Sequence, residues 1–288
     1  MTLRAHGAVV VAAVLFGTTF VMVKDAVADV GPVPFLAVRF LVGAATMAPF
    51  ALRRPAEGRS TSPPGVWQAG LVCGAALLLG YVFQTVGLQY TTSSVSAFVT
   101  YLLVVMVPVI SALTLRRPPT PPTIAGVVLA TAGLFLLTGR GVHLGKGELL
   151  TLGCALSFAV HIVLLAHFAP RFDTTKLNGI QLLVVGGACL VPGLWLGGYG
   201  FTLRAWLAAA YTGVAVSGVA LGLQLWGQRQ VGPTRTSLLL MIEPVSAAGL
   251  GYAVGDRLGV GGVVGALLIL VGIAVAEFPV ARRVPSAS

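Results

Sequence analysis

Residues 95–115 read VSAFVTYLLVVMVPVISALTL, without one charged side chain. A helix crosses the hydrocarbon layer of a bilayer with about 20 apolar residues, so this stretch is long enough to span a membrane. Its second half, Val107-Pro108-Val109-Ile110-Ser111-Ala112, has a counterpart far downstream in Glu243-Pro244-Val245-Ser246-Ala247-Ala248. The first copy is uncharged around its proline, and the second carries an acid directly before it. An apolar span and an altered copy of it, followed outward in both directions, decide the fold class.

Comparable runs recur along the whole chain. Spans are expected at about 7–24, 33–52, 66–88, 95–115, 123–139, 148–168, 178–197, 205–227, 234–255 and 261–278. Turn residues separate them: Gly31-Pro32, Pro63-Pro64, Pro118-Pro119 with Pro121-Pro122, Gly145 with Gly147, Gly197-Gly198 and Gly232-Pro233. The connections are too short for an extramembrane domain. Barrel strands alternate polar and apolar over about ten residues, and these unbroken runs exclude that architecture. The expected class is therefore an all-α integral membrane protein of ten transmembrane helices.

Composition points the same way. The chain is 57% hydrophobic and 9% charged, with mean hydropathy +0.95. A soluble domain is about 45–50% apolar and about 25% charged. The net charge is +10, which in a soluble protein would suggest nucleic acid. Here the basic residues sit in the gaps between apolar runs, as in Arg53-Arg54, Arg116-Arg117 and Arg282-Arg283. Membrane topology explains that placement, and no nucleic-acid partner is expected. With the N-terminus inside, twelve Lys and Arg (Arg4, Arg53, Arg54, Arg59, Arg116, Arg117, Arg171, Lys176, Arg229, Arg235, Arg282, Arg283) face five (Lys24, Arg140, Lys146, Arg204, Arg257). Both termini are thus expected in the cytoplasm, in a multi-pass protein of the cell (inner or plasma) membrane. Ala26-Val27-Ala28 resembles a signal-peptide cleavage site. Lys24 and Asp25 directly before it are unfavourable for cleavage, so an uncleaved first span is expected. Cys73, Cys154 and Cys189 lie in separate apolar runs with no metal spacing and read as buried inert thiols.

The two halves look alike. Gly7 and Gly147 open the first and sixth spans, and Trp67 and Trp206 open the third and eighth. The stretch from Gly87 to Pro108 matches Gly227 to Pro244, with the first copy about one helical turn longer. Both halves end in a glycine-rich span, Gly126 to Gly139 and Gly261 to Gly272. Expected units are residues 7–139 and 147–278, five helices each, with a short basic tail at 279–288. Five crossings are an odd number, so the second copy enters from the opposite side. Inverted repeats of this kind are typical of secondary transporters.

At these residues the chain resembles a known family. Phe16-Gly17-Thr18-Thr19-Phe20 through Lys24 is similar to the first-helix signature of the EamA domain, in the drug/metabolite transporter superfamily. Tyr90-Thr91-Thr92-Ser93-Ser94 leading to Val107-Pro108 resembles its third-to-fourth helix stretch. Thr236-Ser237-Leu238 through Glu243-Pro244, then Gly255-Asp256-Arg257-Leu258, resembles its ninth. Two departures stand out. Leu115-Arg116-Arg117-Pro118 replaces a Gly-Glu-Arg-like ending, and the sixth span has Ser157-Phe158-Ala159 where the first has Gly17-Thr18-Thr19. The resemblance implies a ten-helix basket around a central cavity lined by the first, third, fourth, sixth, eighth and ninth helices. It implies peripheral fifth and tenth helices, where a homodimer would form. It also implies transport of small metabolites or drug-like solutes, commonly outward.

Ionisable groups inside membranes cost about 2.5–3.5 kcal/mol each on insertion scales, so they invite a functional reading. Glu243 is the leading candidate for binding a cationic group or carrying a proton, and Pro244 beside it frees a helix carbonyl. A buried Glu paired for structure is the competing reading. Lys24 and Asp25 end the first span as an external gate or as an interfacial pair. Arg39 is expected to snorkel outward or to pair with Asp25 or Asp29. Thr18 and Thr19 suit either close packing or solute contact. Gln84 and Gln224, 140 residues apart, hold matching places and are expected to face a cavity, with Gln228 nearby. His161 is a mid-span group able to titrate near neutral pH or to pack through a hydrogen bond. Glu148 is expected to cap the sixth span. Tyr81, Tyr101, Tyr211 and Trp226 would wall a cavity or anchor at interfaces. Gly261, Gly265 and Gly272 are expected to dock the tenth span on the ninth or on a second subunit.

No P-loop, HExxH, GxSxG or acidic metal cluster occurs, so no cofactor, metal or catalytic residue is expected. The leading function is a secondary transporter that moves a small solute by alternating access, as an exporter. A non-transporting membrane scaffold and an intramembrane enzyme are the alternatives. The enzyme needs paired acids or a nucleophile with a base at one depth, and Glu243 is the one clear mid-span acid. A channel would show a ring of like charges or a filter-like loop.

Overall fold

The computed structural model describes residues 2–51, 64–116, 118–138, 145–253 and 259–277. Arg53, Arg54, Arg59, Arg117, Arg140, the Gly255-Asp256-Arg257-Leu258 ending, Arg282-Arg283 and the 279–288 tail lie outside the described residues. Among the described residues every regular element is a helix. Hydrocarbon offers backbone amides no partner, and a helix satisfies them within its own segment.

Six segments are long and apolar enough to cross a membrane: Pro32–Ala51, Val66–Gly87, Val95–Leu115, Lys146–Phe168, Thr174–Trp195 and Leu203–Val231. Four of the helices here are unbroken: α3 (Pro32–Ala51), α4 (Val66–Gly87), α8 (Lys146–Phe168) and α9 (Thr174–Trp195). Two shorter apolar helices are α7 (Pro121–Thr138) and α14 (Val260–Glu277). A further bent pair, α1 (Thr2–Gly17) and α2 (Phe20–Val30), turns by 49°.

Several helices are interrupted, and the sequence shows why for some. Between α1 and α2 the Thr18 and Thr19 hydroxyls donate to the Leu15 and Phe16 carbonyls at 2.7 and 2.8 Å. Their amides also reach back only three residues. Such local bonding competes with the α-helical ladder and bends it. The fourth run divides at Leu102 into α5 (Ser93–Tyr101) and α6 (Leu103–Leu115). The ninth divides at Met241 into α12 (Pro233–Leu240) and α13 (Ile242–Ala253). Pro244 falls in the first turn of α13, where an amide has no helical partner to lose. The eighth run is α10 (Leu203–Tyr211), a π-helical segment Thr212–Ala220, and α11 (Leu221–Val231). Gly31 and Gly232, at φ +78° and +90°, each turn the chain directly before a helix that starts with proline.

Glycines set how the helices meet. Gly126 lies against the Gly272 backbone and Gly133 against Gly265, so α7 and α14 run antiparallel in close contact. The tenth span thus docks on the fifth. This corrects the expectation that its glycines seat the ninth span, and the physical reason is that both partners lack a Cβ at the crossing. Gly186 on Leu41 and Gly193 on Pro34 make α3 and α9 antiparallel. Gly80 on Phe158 and Gly87 on Thr151 do the same for α4 and α8. Gly70 on Ile180 and Gly74 on Val184 make α4 and α9 parallel. Likewise Gly43 on Ser217 and Gly218 on Thr46 set α3 parallel to the π-helical segment.

Candidate functional site

The broken helices meet around one hollow. A cavity of about 80 Å³ is walled by α1, α2, α3, α4, α5, α6, α8, α11, α12 and α13 and by the Thr18–Thr19 break. A water needs roughly 10–15 Å³ by this kind of measure, so the space holds several waters or a small polar group.

Glu243 is its acid. It is 9% exposed and lies in the first turn of α13. The amides of a first turn are unpaired, and the helix dipole favours negative charge there. Dividing the ninth run at Met241 therefore provides a half-helix end aimed at an acid. From Pro233 to Glu243 is about 15 Å at 1.5 Å per residue, half of a ~30 Å hydrocarbon layer. The Tyr101 hydroxyl, at the end of α5, neighbours the carboxyl in the cavity wall. The α1 end fits tightly alongside: a methyl on Gly17 would overlap the Ser246 hydroxyl and the Glu243 carbonyl.

Arg39 is the cation. It is 3% exposed, and its Nε donates to Ser217 Oγ at 3.0 Å. Its guanidinium carbon lies 4.8 Å from the Tyr81 ring centre and 5.4 Å from that of Phe40. Arg39 and Glu243 act on each other electrostatically across the cavity. The expectation of snorkelling, or of pairing with Asp25 or Asp29, is corrected here. Asp25 instead takes Arg204 at 2.7 Å at the rim. An acid lining the same cavity, an aromatic bed and the Ser217 hydroxyl offset the cost of burying Arg39.

The other residues singled out in the sequence divide as follows. Gln84 from α4, Gln224 from α11, Thr19, Tyr101 and His161 all line the cavity with Glu243. His161 Nε2 shares a 2.6 Å hydrogen bond with Gln181 Oε1, and the Gln181 amide donates to the Leu177 carbonyl. Thr18 is placed elsewhere, sharing a 2.8 Å hydrogen bond with the Tyr211 hydroxyl. Lys24 donates to the Thr91 carbonyl at 3.1 Å, away from the cavity. Pro244 is buried behind Glu243. Gln228 donates to the Ile162 carbonyl, and its own side-chain oxygen is buried without a hydrogen-bond partner. Glu148 accepts from the Gly145 amide at 3.0 Å and from the Thr91 hydroxyl, capping α8. Of the four aromatics weighed as walls, Tyr81 and Tyr101 line the hollow, and Trp226 is 39% exposed.

Sequence reasoning left Arg39 out of the site, and it weighed Tyr81 without committing to it. The signal for Arg39 was present: a cation within a span requires an opposite charge at its depth, and Glu243 was the mid-span acid available. Phe158, whose ring meets Tyr81 edge-on at 5.1 Å, gave no such signal. Among the described residues no His/Cys/Asp/Glu group is arranged to hold a metal.

The EamA-like transporter family model matches residues 3–139 and again residues 145–278. The chain belongs to this family. The family is one of multi-pass membrane transporters. An uncharacterized transporter of Archaeoglobus fulgidus is 34% identical over 166 residues, 57% of this chain and 50% of that protein. The chain thus spans half the length of that relative. A second uncharacterized transporter of the same organism is 28% identical over 94% of this chain and 95% of its own length. A crystal structure at 22% identity shares the fold, with TM-score 0.80 over 96% of this chain and 97% of that one.

Proposed function

We propose that this EamA-family protein is a secondary transporter that exports a small metabolite or drug-like solute by alternating access. Ten spans form two inverted five-helix repeats, 7–139 and 147–278, in the cell membrane with both termini cytoplasmic. The solute binds against Glu243, with Gln84, Gln224, Thr19, Tyr101 and His161 around it, and Arg39 supplies the opposite charge. Lys24 and Thr18 act outside the binding cavity, holding α2 closed over it. Pro244 sets the half-helix that carries Glu243. A homodimer would form on the outer faces of α7 and α14.

One observation carries this reading: buried groups of opposite charge share a mid-depth cavity at which interrupted helices converge. Irregular backbone at membrane depth is tolerated where it is buried in protein or lines a cavity. Discontinuous helices are how transporters build central solute sites. The packing directions support inverted repeats. The α4–α9 contact is parallel, and so is the contact of α3 with the π-helical segment, its counterpart under exchange of the halves. The α7–α14 and α3–α9 pairs each join equivalent spans and are antiparallel, as inversion requires.

The test is a metabolite flux screen in proteoliposomes, with and without a pH gradient, comparing wild type with Glu243→Gln. A solute whose flux falls at least 100-fold in the folded variant supports the proposal. A solute moved equally by both variants removes Glu243 from it, and pH-independent flux removes proton coupling. No flux of any solute favours the scaffold.

A further inference from the structure

A second hollow lies on the face of α3 turned away from Arg39. Leu41, Ala44, Ala45 and Ala48 lie roughly 140–240° around the helix from Arg39 at about 100° per residue. With α9 and the start of α4 they enclose a groove of about 840 Å³. Its α9 wall is Gly179, Ile180 and Leu183, and Lys176 and Trp67 stand at one end. The solute cavity shares none of these residues.

The dimensions are those of a single leaflet. From Leu41, halfway along α3, to Ala51 at its end is about 15 Å, half of a ~30 Å hydrocarbon layer. Among the described residues the wall is apolar along this length, and its cation, Lys176, stands at one end. Trp67, 65% exposed, marks that end as the interface, where tryptophan prefers to sit. Helices α4 and α9 run parallel and both begin here. The Asp173 carboxylate takes the Thr175 and Lys176 amides at the start of α9, so the dipole end left to add to the Lys176 side-chain charge is that of α4. Water does not fill an apolar groove that faces hydrocarbon. An alkyl chain does, at no cost in hydrogen bonds.

We propose that this groove holds one acyl chain of an anionic phospholipid, with its phosphodiester against Lys176. A zwitterionic lipid fills the same groove with its chain but gains less at the headgroup, because its own cation competes with the lysine. One lysine near a membrane surface contributes about a fivefold preference for an anionic lipid. The site requires only that the chain be embedded in a bilayer, and it stands or falls independently of the solute carried.

Native mass spectrometry of the full chain, titrated with phosphatidylglycerol or phosphatidylcholine, tests it. The expected result is about fivefold tighter retention of one phosphatidylglycerol. Lys176→Gln, a part-exposed first-turn change, should abolish the preference while still retaining lipid. Ala48→Phe should fill the groove and remove that bound lipid altogether. If Ala48→Phe does not fold, Gly179→Val serves, since a Cβ there meets only the Ala51 Cβ at 3.8 Å. Equal retention of both lipids, a preference that survives Lys176→Gln, or lipid unaffected by the groove-filling variant would overturn the proposal. So would displacement of the lipid by equimolar glycerol phosphate, which would mark a free-anion site with no role for the chain.

Discussion

The α7–α14 pair and the cavity cluster are built from the same membrane-compatible material in opposite ways. In the pair, two uninterrupted apolar helices lie glycine to glycine, Gly126 on Gly272 and Gly133 on Gly265, with no charged side chain at the crossings. In the cluster, helices break at Thr18, Leu102 and Met241 and loosen over Thr212–Ala220, and Arg39 and Glu243 are buried among them. Close packing of regular helices gives one stable arrangement. Broken helices around charges give up local stability and gain an adjustable space.

The sharpest way to break the contrast is to unbalance the cavity. Glu243→Ala removes the acid that Arg39 feels across the cavity, and because the two are not in contact the cost is at most the roughly 3–5 kcal/mol of a broken buried pair. Thermal unfolding in detergent should show a drop. The double variant Arg39→Met with Glu243→Leu should recover much of it while flux stays abolished. A double variant less stable than either single one would show that the two charges do not compensate each other.

Next is the peripheral pair. Gly133→Leu forces α7 away from the Gly265 backbone, an overpacking cost of about 1–3 kcal/mol. Unfolding temperature should fall while the solute affinity of the folded fraction is unchanged. A large loss of affinity with normal stability would erase the division between the two regions.

Much of this division was legible in the sequence. The glycine-rich spans, the uncharged runs and the Val107–Ala112 and Glu243–Ala248 copies carry periodicity and composition, which local reading captures. Glu243, Gln84, Gln224 and His161 stood out because polar groups in apolar runs demand an explanation. Arg39 was visible as a cation, but its partner was assigned to neighbours in sequence, Asp25 and Asp29. The actual counter-charge lies 204 residues away, a proximity that only the packing of α3 against the other half creates. Thr18 and Thr19 are adjacent and alike in chemistry. The break between α1 and α2 turns one toward Tyr211 and the other toward the cavity.

Two smaller effects sharpen the picture. Tyr101→Phe removes a hydroxyl that stands beside Glu243 in the cavity wall, where it can donate to a solute, a contact worth roughly 0.5–1.5 kcal/mol. KM should rise by up to about tenfold in flux assays with little change in unfolding temperature. An unchanged KM would take Tyr101 out of the site. Thr18→Val removes the bond to Tyr211, and interhelical bonds in membranes average about 0.6 kcal/mol. The expected result is a shift of a degree or two in unfolding temperature and faster solute exchange as α2 opens more readily. Slower exchange would contradict that role for α2.

The most direct test places a single cysteine in the cavity wall. Gln84→Cys, in a background where Cys73, Cys154 and Cys189 are replaced by alanine, is treated with a membrane-impermeant maleimide in right-side-out and inside-out vesicles. A hollow exposed alternately to the two sides predicts labelling from both, slowed by bound solute in each. Labelling from one side only, whatever the solute or gradient, would contradict it.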